Sequence, residues 1–163
     1  MTMHTPSNGA SVADGTGRGL ASERPRILIV DDEATYREYL ERFLSRDGLE
    51  VRTAETGAEA IALSRDFAPD LLLADWMLRC EMHGIEVGEA LRNRWPGLRI
   101  LLMTGFPTAD LEAEAARVGI DGFLEKPFAL DDLSRAITAA LAGRGVGRVS
   151  GPATATKAGD PAR

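Results

Sequence analysis

Four short apolar runs, each ending in a polar or charged residue, constrain this chain more than anything else in it. They are Ile27-Leu28-Ile29-Val30 before Asp31-Asp32, Leu71-Leu72-Leu73-Ala74 before Asp75, Ile100-Leu101-Leu102-Met103 before Thr104, and Phe123-Leu124 before Glu125-Lys126. A continuous apolar run has no solvent face, so as a strand it must be covered on both sides. Helical patterns separate the runs. Tyr36, Tyr39, Leu40, Phe43 and Leu44 follow the i, i+3, i+4, i+7, i+8 stripe, and Gly48 stops that helix. Leu49 to Thr53 alternates apolar and polar, as a half-exposed edge strand does. Thr56 and Glu59 have capping-box spacing and open a helix running to about Phe67. Further helices are expected at about Ile85 to Arg94, at Ala109 to Val118, and along Leu133, Ile137, Ala140 and Leu141.

Strands alternating with helices predict an α/β fold with a doubly wound, five-stranded parallel sheet. Placing the alternating second strand at an edge gives the order 2-1-3-4-5, the flavodoxin-like arrangement. Ligands of such sheets bind beyond the carboxyl ends of the strands, where the order reverses. Asp31, Asp32, Asp75, Thr104 and Lys126 all fall at those ends.

Composition narrows the function class. The 163 residues suit one domain with tails. A formal net charge of -6 gives no electrostatic reason to expect nucleic acid or an anionic membrane as partner. No run approaches the ~20 apolar residues of a membrane span. The first residues lack the apolar core of a secretory signal. Cys80 is the single cysteine, so no internal disulfide can form. A cytoplasmic protein is the expectation. Residues 1–24 are expected to be a disordered arm, 25–142 the domain, and 143–163 a disordered tail with almost no large apolar side chain. Spaced glycines at Gly15 to Gly19 and Gly143 to Gly147 neither follow a strand nor open a helix, so neither reads as a phosphate loop.

Three carboxylates brought together repel one another at neutral pH. A hard divalent cation relieves this, and Mg²⁺ favours one or two carboxylates with water and phosphate oxygens. A carboxylate nucleophile, a metal, a lysine and a hydroxyl donor together make a site for phosphoryl transfer.

Asp31-Asp32-Glu33, Asp75, Met103-Thr104-Gly105 and Leu124-Glu125-Lys126-Pro127-Phe128, each at its strand end, resemble the receiver domain of bacterial two-component response regulators. The resemblance covers roughly Arg26 to Ala142. It implies that Asp75 accepts a phosphoryl group from a phosphohistidine on a sensor histidine kinase or histidine phosphotransfer protein. Asp31 and Asp32 would bind Mg²⁺, Asp32 the more directly, with Asp75 and the backbone carbonyl of Met77. Thr104 would donate to the phosphoryl group and Lys126 would pair with it. Gly105 leaves space beside it, Phe123 is the expected aromatic switch, and a cis peptide is expected before Pro127. Output would pass to a partner protein at the face of the fourth helix, fifth strand and fifth helix, since the tail after Ala142 is too short for a DNA-binding domain.

The alternatives are a phosphorelay intermediate, a non-phosphorylated pseudo-receiver, and an aspartyl-phosphate phosphatase. The last usually wants an acid two residues beyond its nucleophile, where Met77 stands. Met77 and Phe106 cannot orient a hydrolytic water, so self-dephosphorylation should be slow. The loop from Asp75 to Gly84 departs from the family pattern in length and lacks its usual proline. Cys80 and His83 within it are too few ligands for a metal site. Trp95 is expected to be a packing residue and Trp76 to lie at the rim of the site.

Overall fold

A computed structural model of the chain describes residues 24–79 and 82–150. The expected arm (1–24, all but its last residue), the end of the expected tail (151–163) and Cys80 lie outside them. The elements alternate as β1 (Arg26–Val30), α1 (Ala34–Arg46), β2 (Glu50–Ala54), α2 (Gly57–Phe67), β3 (Leu71–Asp75), α3 (Gly84–Arg94), β4 (Arg99–Thr104), α4 (Ala109–Val118), β5 (Gly122–Glu125), α5 (Leu130–Leu141) and β6 (Gly147–Ser150). All strand pairs are parallel, in the order β2-β1-β3-β4-β5-β6. The five-strand order read from the sequence therefore stands, with a sixth strand added beyond β5.

Successive strand residues face opposite sides of the sheet, and both sides are filled. Leu28, Val30, Leu72, Ile100 and Leu102 pack under α2, α3 and α4 through Phe67, Leu91 and Leu111. Ile27, Ile29, Leu71, Leu73, Leu101 and Met103 pack under α1 and α5 through Leu40, Leu44, Leu133 and Ile137. Strand β2 is the half-exposed edge that its alternation predicts. Helix α2 begins as its spacing requires: Thr56 Oγ1 accepts from the Glu59 N–H at 3.2 Å, and the Glu59 carboxylate accepts from the Glu55 N–H at 2.8 Å. Such a cap contributes about 1 kcal/mol.

Two carboxylates brace the end of the sheet opposite Asp75: Asp70 accepts from the Arg26 N–H at 2.9 Å, and Asp121 joins three elements. Asp121 accepts from the Ile100 N–H at 2.8 Å and pairs with Arg92 at 3.1 Å and Arg99 at 3.2 Å. Arg92 also donates to the carbonyls of Val118 and Gly119 at the carboxyl end of α4 and to that of Leu98. Among the described residues, no helix is long and apolar enough to cross a membrane.

Strand β6 corrects, for Gly147–Ser150, the reading of 143–163 as a disordered tail. Its pattern is polar and glycine-rich, and three of its four residues are exposed, so no hydrophobic period announced it. Its connection also runs against the usual rule. The step from β1 to β2 heads for one edge with α1 on one face. The steps onward to β5 head for the other edge with α2, α3 and α4 on the opposite face, so all share one hand. The step from β5 to β6 continues outward with α5 on α1's face, which reverses the hand. Parallel crossovers are right-handed in about 98% of cases.

Candidate functional site

Register places the polar residues side by side. Val30 lies next to Ala74 in the ladder, Asp75 next to Met103, and Thr104 next to Glu125. Each strand thus delivers its first polar residues to the same end of the sheet. The Trp76 N–H donates to Met103 O at 2.8 Å and the Lys126 N–H to Thr104 O at 2.7 Å, which extends the ladder through the site. The Lys126–Pro127 peptide is cis.

Lys126 is the centre of the arrangement. Its Nζ donates to Asp31 Oδ2 at 2.9 Å and to Asp75 Oδ1 at 2.9 Å. Asp31 is 1% exposed, so its charge depends on that ammonium and on the Glu33 N–H, which donates to its Oδ1 at 2.9 Å. Burial pushes the Asp75 carboxyl above the usual aspartate range, against the pull of Lys126. Burial also pulls the lysine down, but its hydrogen bonds and charge attraction to Asp31 and Asp75 outweigh this and hold it above an ordinary lysine.

Asp32 differs from its neighbours. Its Oδ2 is buried and accepts no hydrogen bond from a described residue. Among the described residues, Arg79, whose side chain is 90% exposed, approaches it at 2.9 Å as an ion pair. A buried carboxylate oxygen without a hydrogen bond is costly, and a hard cation would satisfy it. The residues therefore fit Mg²⁺. Among the described residues, no three acids, histidines or cysteines are gathered tightly enough to cage an ion by themselves. Mg²⁺ does not need such a cage, because it retains water and takes phosphate oxygens.

Thr104 is buried, and its Oγ1 accepts from the Phe106 N–H at 3.1 Å. That bond fixes the oxygen and leaves its proton free to be donated. Met77 and Phe106 are exposed, at 66% and 84%. Phe123 is buried in the layer under α2 to α4. Trp76 packs partly against the same layer and stacks on His83, with ring centroids 5.5 Å apart. His83 precedes α3, where the Glu86 carboxylate accepts its N–H at 2.7 Å. Trp95 packs on the core as expected.

Two participants were not foreseen. Tyr36 was read only as part of the α1 stripe, yet its ring lies 4.4 Å from Lys126 Nζ, a cation–π contact. Phe128 meets Tyr36 edge-on at 6.3 Å, and with Tyr39 and Leu130 they line a hollow of about 310 Å³. Burial, then the charges of Asp31 and Asp75, push the Tyr36 hydroxyl well above an ordinary tyrosine, so it stays protonated. Gly84 is the other. A methyl group there would collide with the backbone carbonyl of Asp75 and crowd Leu102.

Residues 27–138 match the response regulator receiver domain family. The response regulators MprA of Mycobacterium sp. (strain KMS) and of Mycobacterium avium (strain 104) are each 37% identical over 116 residues, 71% of this chain and 50% of theirs. The chain thus spans about half the length of the curated relatives it matches. Chemotaxis protein CheY4 of Vibrio cholerae superposes with a TM-score of 0.68 at 28% identity, covering 72% of this chain and 99% of that one. The CheY-like receiver domain protein of Methanospirillum hungatei JF-1 gives 0.70 at 29%, covering 74% and 96%. With four strand-end motifs in register and the parallel sheet around them, this chain belongs to the response regulator receiver domain family, a family of two-component signalling modules.

Proposed function

We propose that the protein is a phosphorylation switch in which Asp75 accepts a phosphoryl group from a phosphohistidine on a sensor histidine kinase or histidine phosphotransfer protein. The observation that carries this reading is Lys126 held 2.9 Å from both Asp31 and Asp75, beside an Asp32 oxygen left without a hydrogen bond.

An Asp75 carboxylate oxygen attacks phosphorus; the O–P bond forms as the P–N bond to the donor histidine breaks and the imidazole leaves. Lys126, already against Asp75, pairs with the phosphoryl oxygens. Thr104 donates its free hydroxyl proton to one of them, and Gly105 keeps the approach open. Asp32, Asp31, Asp75 and the Met77 carbonyl would hold Mg²⁺, which supplies positive charge against the phosphoryl oxygens and relieves the repulsion among the acids. Drawing Thr104 toward the new group would bias a two-state equilibrium that includes Phe123. The signal then passes to a partner protein at the face made by α4, β5 and α5.

The test is tryptophan fluorescence during titration with Mg²⁺ and then beryllofluoride or acetyl phosphate, with intact mass measured on the same samples. Trp76 follows the acceptor directly, so a saturable, Mg²⁺-dependent change that disappears in Asp75→Asn is expected. A chain that gains no phosphoryl adduct under these conditions acts instead as a non-phosphorylated interaction module.

A further inference from the structure

The face assigned above to output is already covered in part, by this chain itself. Strand β5 would otherwise present an open edge, with unpaired N–H and C=O groups that invite another strand. Strand β6 fills it in register, from Gly122 beside Gly147 to Glu125 beside Ser150. The seat is shaped for it. A side chain at residue 122 would run into Val146 and the carbonyl of Gly147, so only glycine there lets the segment in. The Val146 N–H donates to Asp121 O at 2.9 Å.

What holds β6 is nevertheless light. Among the described residues, Val149 and the preceding Val146 supply its apolar contacts with the layer under α1 and α5, and both are half-buried. The rest is polar and at the surface. Arg148 pairs with Glu125 at 2.7 Å and with Glu112 of α4 at 3.5 Å, and the Ser150 hydroxyl donates to Glu125 at 3.0 Å. Exposed pairs of this kind contribute little and weaken with salt. By contrast, β1, β3 and β4 are each paired on both sides and carry buried apolar side chains. Without β6, Glu125 of β5 and Glu112 of α4 would lose the cation they share.

We propose that Gly147–Ser150 is a displaceable cover on the β5 edge, occupying a strand-docking site that accepts an extended segment carrying a basic side chain. The site's resident ligand is the chain's own Arg148 segment. A protein partner at this face gains access by supplying the same chemistry: a strand's backbone groups for β5 and a guanidinium for Glu125 and Glu112. That this face is the output surface rests on the function proposed above; the docking site itself does not.

The test therefore uses the unphosphorylated full chain. Hydrogen exchange is followed in wild type, in Arg148→Glu, and in the charge-swapped double variant Arg148→Glu with Glu125→Arg. A labelled peptide matching residues 145–150 is titrated against each. In Arg148→Glu, the amides of 147–150 and those of β5 facing them should exchange at least tenfold faster, with β1 and β3 unchanged. The peptide should bind this variant at least tenfold more tightly than wild type, and the double variant should recover protection. Unchanged exchange in Arg148→Glu would make β6 a permanent sixth strand. Failure of the peptide to bind the opened variant would remove the docking site. Either result overturns the proposal. Loss of the phosphoryl-adduct signal at Asp75, measured separately, bears only on the function.

Discussion

Replacing Lys126 with methionine preserves the length of its aliphatic stem and removes its charge. The ammonium donates to two carboxylates at 2.9 Å each, one of them 1% exposed. Stripping one partner from a fully buried ion pair costs about 3–5 kcal/mol. Lys126 itself is 26% exposed, so water can reach part of the site and reduces the penalty. We expect a loss of about 2–4 kcal/mol at neutral pH without metal. In urea this lowers the unfolding midpoint by about 1–2 M, with the slope unchanged. The sign of the pH dependence follows from the lysine's raised pKa. Its contribution is complete below the ordinary lysine value of about 10.4 and fades as pH rises through the higher folded value. In the variant, the loss shrinks as pH falls through the carboxylate range, because protonated Asp31 and Asp75 need no cation. Adding Asp31→Asn should recover at least half of the loss. A variant within about 0.5 kcal/mol of wild type, or a double variant whose losses simply add, would refute the assignment of Lys126 as the neutralising charge.

Asp75→Asn should abolish the phosphoryl adduct by intact mass, yet raise metal-free stability at neutral pH. Burial raises the Asp75 pKa, so its charge is a native-state cost above that pKa; the gain should disappear in urea titrations below the ordinary aspartate range. Gly84→Ala should cost about 1–3 kcal/mol by overpacking and slow phosphorylation several-fold, because the methyl displaces the Asp75 backbone; normal acetyl phosphate kinetics would count against this. With Met77 and Phe106 exposed and unable to orient water, the aspartyl phosphate should persist for many minutes in Mg²⁺, and Met77→Glu should shorten its life several-fold. A half-life of seconds in wild type, followed by intact mass, would contradict that account.

The sheet was legible because its signal is redundant. Leu71-Leu72-Leu73-Ala74 is too short for a helix and has no solvent face, so it reads as a strand covered on both sides, and each such run ends in the residue that chemistry requires. The edge position of β2 followed from Leu49 to Thr53 for the same reason. Other features lie outside any period. Tyr36 falls on the apolar stripe of α1, and nothing in the stripe tells that its ring faces an ammonium contributed ninety residues later. The close approach of Gly84 to the Asp75 carbonyl depends on how the loop between them closes. Strand β6 buries so little and connects with so rare a hand that both pattern and topology argue against it; what stabilises it is pairing with an edge that exists only after β5 has formed.

The Asp121 cluster gives α4 a mechanical asymmetry. Arg92 fastens the carboxyl end of this helix through the carbonyls of Val118 and Gly119, while its other end, beyond Thr108, follows a surface segment with Phe106 in solvent. Ten residues of α-helix span about 15 Å. Over that length, a swing of about 10° around the fastened end moves the Thr108 end by about 2.6 Å and leaves the Asp121 end in place. The helix is thus a lever with its fulcrum at the base of the sheet and its long arm beside the acidic site, where a small rotation becomes a displacement large enough for a second protein to feel.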